Sequence, residues 1–347
     1  MFSTSLRSAL LFVAASALAV SAAPSLSLKV DGPASVDTVA DLKVTATITN
    51  TGDETVKVLN DPYSALSKLP TNTFKITDTS GAKPSFTGIK AKYVPNSDAA
   101  LSSFTTLAPG QSVSVEHDLS QAYNFTTPGA GAYSVEARNL FYVIDEATNE
   151  AVPTYATAEA HSAKLSGVLA VARPSVSKRA VFNGCSSTQQ SGLNSAASAA
   201  QSYASSALSY LNAHLSATTR YVTWFGTYTS TRHSTVQSHF SHISSNSFSS
   251  FTYDCTCTDS GTYAYVFPDD FGHIYLCGAF WSAPNTGTDS RGGTLIHESS
   301  HFTANGGTDD YVYGQSGAKS LAISNPDEAV FNADSHEYFA ENNPAQS

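Results

Sequence analysis

Residues 23 to about 170 read as β structure, with short runs in which apolar and polar positions alternate with a period of two. Leu26-Ser27-Leu28-Lys29-Val30, Leu42-Lys43-Val44-Thr45-Ala46-Thr47-Ile48 and Val113-Ser114-Val115 each turn their apolar side chains to one face of a strand. Turn signals at Asp31-Gly32, Thr51-Gly52-Asp53, Pro109-Gly110 and Pro128-Gly129 separate such runs. About seven or eight short strands in roughly 150 residues predict an all-β, sandwich-like unit. Past residue 181 the period changes. Leu193, Ala197, Ala200, Ala204, Leu208, Leu211 and Leu215 recur every three or four residues and predict an amphipathic helix. Residues 262–267 and 273–277 flank Pro268-Asp269-Asp270-Phe271-Gly272 and predict a β-hairpin. The second half therefore reads as α+β.

The ends of these units carry their own signals. Residues 1–22 have one arginine, an apolar run from Ala9 to Val20 and small residues at Ser21-Ala22-Ala23. That is a secretory signal peptide, cleaved after Ala22 and too short to span a membrane. No other stretch is long and apolar enough to cross one. A Pro-Ser linker at Pro174-Ser175 leads to Lys178-Arg179. A dibasic pair in a secreted chain predicts cutting by a kexin-like protease, leaving a mature chain that begins at Ala180 or Val181. The predicted organisation is thus 1–22 signal peptide, 23–179 β-rich propeptide and 180–347 a second domain. Asn124-Phe125-Thr126 is an N-glycosylation sequon.

Charge is divided unevenly. The formal net charge is −10, and −9 of it falls on residues 181–347. That half has one lysine, Lys319, three arginines (Arg220, Arg232, Arg291) and thirteen acids, whereas residues 24–180 hold ten lysines. An acidic surface attracts basic partners and argues against nucleic acid. All four cysteines, Cys185, Cys255, Cys257 and Cys277, lie in the acidic half. An even count in a secreted domain predicts two disulfides. Cys255 and Cys257 sit too close along an extended strand to pair comfortably.

The chemistry concentrates near the end. His297-Glu298-Ser299-Ser300-His301 is H-E-x-x-H. On a helix its two histidines share a face and can bind one zinc ion, and the glutamate is placed to take a proton from a water that the zinc activates. The uncharged neighbours Thr294-Leu295-Ile296 and Phe302 predict a buried helix, which Asn305-Gly306-Gly307 ends. A catalytic zinc takes three protein ligands. The metzincin pattern wants Gly three and His six residues after the second histidine; Ala304 and Gly307 stand there, so it fails. Glu328 on a later helix is one candidate for the third ligand. The loop Gly307-Thr308-Asp309-Asp310-Tyr311-Val312-Tyr313-Gly314 offers another and matches G-T-x-D-x-x-Y-G.

The two motifs together resemble the aspzincins, the deuterolysin-type zinc endopeptidases of fungi. The resemblance implies a zincin-like α+β catalytic domain with one zinc ion, held by His297, His301 and Asp310. It implies Glu298 as general base and Tyr313 as the hydroxyl that stabilises the oxyanion. Asp309 then lies beside the site or in solvent. It favours the pairings Cys185–Cys255 and Cys257–Cys277. The stretch Asn332-Ala333-Asp334-Ser335-His336-Glu337-Tyr338-Phe339-Ala340-Glu341-Asn342 resembles the corresponding helix of fungal peptidyl-Lys metallopeptidases. There an acidic pair, mapping onto Asp334 and Glu337, recognises lysine after the cut bond. The physics agrees, because residues three apart share a helix face and a lysine ammonium offsets two adjacent buried carboxylates. Ser324 or Asn325 can cap this helix, with Pro326, Asp327 and Glu328 in its first turn.

The chain is therefore expected to be a secreted zymogen that cuts proteins before lysine. A lysine-poor catalytic half would resist self-digestion, and a lysine-rich propeptide would not. The partners expected are lysine-containing substrates, the chain's own propeptide and the processing protease; no membrane is expected, and a monomer suffices. A broad deuterolysin without lysine preference and an inactive secreted zinc-binding protein are the alternatives. His214, His233, His239, His242, His273 and His336 have no ligand spacing and read as structural or solvated.

Overall fold

The computed structural model describes residues 25–95, 103–172 and 181–346. The signal-peptide and dibasic segments lie outside the described residues. The first half is β-rich. Leu26–Asp31 and Lys43–Asn50 pair antiparallel, and Lys43–Asn50 pairs with Ser112–Asp118. A second sheet runs Ser35–Thr38, His161–Val168, Gly131–Ala137 and Phe74–Asp78. Leu28, Val44, Ile48, Val135, Phe141 and Leu165 meet in one core between the sheets. The alternating pattern is the cause, since it gives each strand one apolar face to bury. The described strands are more numerous than the seven or eight expected, because several are only two to four residues long and carry too little pattern to read.

The second half is mixed and has its own core, built on Leu193, Ala200, Leu211, Phe240, Leu295 and Phe339. Its helices are α1 (Ser187–Ala213), α2 (Thr219–Phe225), α3 (Ser230–Ser245), α4 (Gly278–Ser282), α5 (Arg291–His301), α6 (Gly314–Ser324), α7 (Pro326–Ala329) and α8 (Ala333–Glu341). α1 starts at a capping box, in which Ser186 accepts from Gln189 N–H and Gln189 reaches back to Ser186 N–H. It buries the predicted Leu193, Ala197, Ala200, Ala204 and Leu211, but stops at Ala213, so Leu215 lies beyond its end and is exposed. Disulfides join Cys185 to Cys255 and Cys257 to Cys277.

The hairpin forms from Ala264–Val266 and His273–Leu276, in the register Ala264 to Leu276 and Tyr265 to Tyr275. Phe182–Asn183 and Thr252–Asp254 extend that sheet on one side. On the other side the fifth strand comes from the first half of the chain. Lys90–Lys92 pairs antiparallel with Ala264–Val266, matching Lys90 to Val266, Ala91 to Tyr265 and Lys92 to Ala264. The two halves thus share a sheet.

The helix expected to begin at Pro326 and run through Glu337 is two helices. α7 ends at Ala329, and the chain extends through Asn332 before α8 begins. The reason is a competing partner. Asp309 N–H donates to Phe331 C=O at 2.8 Å and Ala333 N–H to Asp309 C=O at 3.0 Å. The buried Asn332 amide oxygen accepts from Tyr311 N–H at 3.1 Å and Val312 N–H at 3.3 Å. A continuous helix would leave these loop N–H groups unpaired.

Candidate active site

α5 runs through the core between α1 and α8, and every residue from Gly292 to His301 is buried. Its start carries a glycine against α8. A Cβ on Gly293 would come within 2.0 Å of Glu341 Oε1 and 3.0 Å of Glu337 Oε1, so any side chain there would have to push both carboxylates from their places. That approach sets the His-Glu-x-x-His residues against the acidic face of α8.

Three buried atoms converge at the helix. His297 Nε2 lies 3.1 Å and His301 Nε2 3.3 Å from Asp310 Oδ1. None of the three has a hydrogen-bond partner. Polar groups stand behind both rings. His301 Nδ1 lies 2.9 Å from the carbonyl of Thr308, so it carries the proton and Nε2 turns a lone pair inward. His297 Nδ1 lies 2.8 Å from Asp334 Oδ1. Two bare imidazole nitrogens and a carboxylate oxygen on one point are a ligand set for a zinc-like ion, with backing partners of the kind that metal-bound histidines have. Burial disfavours charge on His297, but Asp310, Asp334 and Glu337 outweigh it and raise its pKa well above the ordinary range. Such an excess of negative charge suits a cation. Glu328, the other candidate third ligand, is absent from the groups that could hold a metal among the described residues.

Glu298, on α5, interacts electrostatically with His297, His301 and Asp310. Burial pushes its carboxyl up to about 7, while His297 and His301 restrain the rise. Tyr313 is at the end of the Asp310 loop. Burial and the Asp310 carboxylate keep its hydroxyl protonated far above the usual phenol range.

A segment of the first half lies across these groups. Tyr313 Oη donates to the carbonyl of Ala91 at 3.2 Å. The next N–H, that of Lys92, donates to Glu298 Oε1 at 3.1 Å. The Lys92 side chain is fully buried in a pocket of carboxylates. Its Nζ lies 2.6 Å from Glu337 Oε2, 3.3 Å from Asp289 Oδ1 and 3.7 Å from Asp334 Oδ1. Burial alone would lower this ammonium, but Asp334, Glu337 and Asp289 outweigh it and hold it well above the ordinary lysine range. Asp334 is held ionised, as Lys92 and His297 together overcome its burial. Its other oxygen accepts from Gly314 N–H at 2.6 Å. Tyr63, also from the first half, donates to Asp310 Oδ2 and accepts from Ala91 N–H at 2.9 Å.

Sequence reasoning singled out His297, Glu298, His301, Asp310, Tyr313, Asp334 and Glu337, and the fold brings all seven together. It missed Asp289, Glu341, Tyr63 and Lys92. Asp289 precedes the N-cap of α5 at φ 51°, and Tyr338 Oη donates to its Oδ1 at 2.6 Å. Glu341 stands behind it and accepts from Ser290 N–H at 2.8 Å and Asp289 N–H at 3.2 Å. No local spacing marks either. Asp309, expected beside the site, pairs with Lys90 at the edge. His336 is not a ligand; its Nε2 lies 3.0 Å from Nδ1 of His239. Asn124 sits half-buried in a two-residue strand, with its amide oxygen accepting from Thr126 N–H at 2.9 Å.

A buried helix that carries two imidazoles and a glutamate base, joined by a loop carboxylate, beneath an extended backbone is the equipment of a metalloendopeptidase. The family model described as "Lysine-specific metallo-endopeptidase", the aspzincin model, matches residues 210–341. The peptidyl-Lys metalloendopeptidase of Grifola frondosa is 61% identical over 336 residues, 95% of this chain and 97% of that protein. That of Armillaria mellea is 59% identical over the whole of both chains, and an extracellular protease of Aeromonas hydrophila is 35% identical over 88% of this chain and 90% of its own. A solved zinc peptidase from Grifola frondosa, 67% identical, covers 47% of this chain and 100% of its own at a TM-score of 0.47. The chain belongs to the aspzincin family and is a zinc metalloendopeptidase. Among the described residues no helix is long and apolar enough to cross a membrane.

Proposed function

We propose that this chain is the secreted zymogen of an endopeptidase that hydrolyses the peptide bond on the N-terminal side of lysine. The observation that carries this reading is the pocket of Asp289, Asp334 and Glu337, which holds a lysine ammonium 2.6 Å from Glu337 Oε2. Glu298 and Tyr313 meet the peptide bond just before that lysine. A compact ammonium with three donors suits three converging carboxylates; the broader guanidinium of arginine does not.

His297, His301 and Asp310 hold a single zinc ion in this reading. When bound, zinc supplies Lewis acidity at the scissile carbonyl and lowers the pKa of a water. Glu298 takes the proton of the attacking water and passes it to the leaving amine. Its position on the N–H of Lys92 supports that second transfer. Tyr313 donates to the carbonyl oxygen as negative charge develops there, and the Ala91 carbonyl contact supports the assignment. Residues 1–22 serve as signal peptide and 23–179 as propeptide, and a kexin-like protease cuts after Lys178-Arg179 to start the mature chain at Ala180 or Val181. The two disulfides support an oxidising, extracellular destination.

Incubating the processed protein with an unbiased peptide mixture, with and without a zinc chelator, and sequencing the new ends tests this. New N-termini should begin with lysine and vanish with chelator. Chelator-sensitive cuts without lysine bias would reduce the protein to a broad deuterolysin.

A further inference from the structure

The second group of residues with metal-site geometry, His297, Asp334 and Glu337, is buried on all sides. Its cation is a side chain. Lys92 Nζ fills the space, 5.3 Å from the ring centre of Tyr263 and 5.5 Å from that of Tyr338. A fully buried lysine needs strong compensation, and three carboxylates supply it. The backbone is held as firmly. Lys90–Lys92 adds a strand to the open edge of Ala264–Val266, and Tyr263 N–H donates to Lys92 C=O at 3.0 Å.

We propose that Lys90–Lys92 is an internal pseudo-substrate: the unprocessed chain blocks its own active site by seating Lys92 in the lysine pocket, with the Ala91–Lys92 bond in the scissile position. The inference rests on the lysine-directed reading above and adds which residues block the site and in what register. Three independent contacts fix that register: the ammonium in the acidic pocket, the Lys92 N–H on Glu298, and the Ala91 carbonyl on Tyr313. Tyr63 closes the other side, with its hydroxyl on Asp310 Oδ2 and on the backbone N–H of Ala91. One oxygen of Glu298 is taken by the Lys92 amide N–H and Tyr63 holds Asp310 Oδ2, while the pseudo-substrate backbone fills the cleft in front of them. Release of the propeptide would free the Ala264–Val266 edge and the pocket for another lysine-containing strand.

The test uses the full, unprocessed chain. Lys92→Met leaves an unbranched side chain one atom shorter and removes its charge; Lys164→Ala, at an exposed position on the β-rich half, is the control. The wild-type and control chains should be nearly silent on a short lysine-containing peptide. The Lys92→Met chain should turn it over at least about tenfold faster, since one buried charged contact is commonly worth more than that. A Lys92→Met chain as silent as the control overturns the proposal. A second readout needs neither metal nor a variant. Reductive methylation of the metal-free full chain should modify the exposed Lys29, Lys43 and Lys164 and spare Lys92. Modification of Lys92 at the rate of those three overturns the proposal as well. The two readings fail separately: processed wild-type protein that cuts without regard to lysine sinks the function, whereas a lysine-specific processed enzyme whose Lys92 is freely modified before processing sinks only the pseudo-substrate.

Discussion

At the scale of single residues, the acidic pocket is unequal in its parts. Glu337 is fully buried and lies 2.6 Å from the lysine nitrogen, whereas Asp289 is a quarter exposed and lies 3.3 Å away. Asp334 divides its oxygens between His297 Nδ1 and Gly314 N–H, so it serves the histidine as much as the lysine. Glu337→Gln in the processed enzyme should therefore cut kcat/KM for lysine substrates by about 100-fold, the scale of breaking a buried charge pair. Asp289→Asn should cost about tenfold or less, because water screens part of its charge. Equal losses in steady-state kinetics would contradict this ranking. The same residues show what a sequence can reveal. His297, Glu298, His301, Asp310 and Tyr313 were legible because a helix turn and a short loop fix their mutual spacing in sequence terms. Asp289 and Lys92 reach the pocket from other segments, and no spacing rule links residue 92 to residue 337.

At the scale of elements, the Asp310 loop depends on the break between α7 and α8. The single longer helix read from Pro326 onward satisfied every local signal; only the unpaired backbone of residues 309–312 demanded otherwise, and that is a tertiary requirement. Asn332→Ala would leave two partly buried N–H groups without their acceptor, at about 1–3 kcal/mol each. Stability should fall by a few kcal/mol, and zinc affinity by about 10-fold or more as the loop loses its support. Competition against a graded chelator would measure this, and an unchanged affinity would mean that the loop holds itself. A second element contact makes a pH prediction. His336 in α8 gives its Nδ1 proton to Asn332 C=O at 2.9 Å, so its Nε2 accepts from Nδ1 of His239 in α3. Burial pushes His239 down to about 4, with His242 adding to the effect, and pushes His336 down to about 3, with His239 adding to it. Both folded values lie below the unfolded value of about 6.5. The unfolded chain then binds more protons than the folded one below that pH, so stability is full above about 6.5 and falls as pH drops toward 4. Removing one of these protons from the cycle, with His239→Asn, should flatten the dependence by up to about 1.4 kcal/mol per pH unit between pH 6 and 5. Denaturant titrations across that range that run parallel for both proteins would exclude the pair as a cause.

At the scale of the whole molecule, the two halves differ in lysine content and share one sheet. Alternation and helical period marked both halves correctly as β-rich and mixed. Neither could show the strand Lys90–Lys92 leaving its own half, since three residues carry no pattern and their pairing partner is an edge about 170 residues away. This junction changes how the protein should respond to losing its metal. His297, His301, Glu298, Asp310, Asp334, Glu337 and Asp289 crowd carboxylates around two imidazoles, and a zinc ion would neutralise part of that charge. In the unprocessed chain Lys92 neutralises another part; on the proposed processing after Lys178-Arg179 the mature chain would lack it. Binding at about 1,000-fold over Kd stabilises by about 4 kcal/mol, which is about 10 °C in Tm for a domain of this size. Chelation should therefore lower the Tm of the processed enzyme by about 10 °C. The drop should be smaller in the unprocessed chain, where the lysine ammonium still faces Glu337. Calorimetry of both forms with and without chelator would decide it, because equal shifts would mean that Lys92 does not compensate the charge that zinc leaves behind.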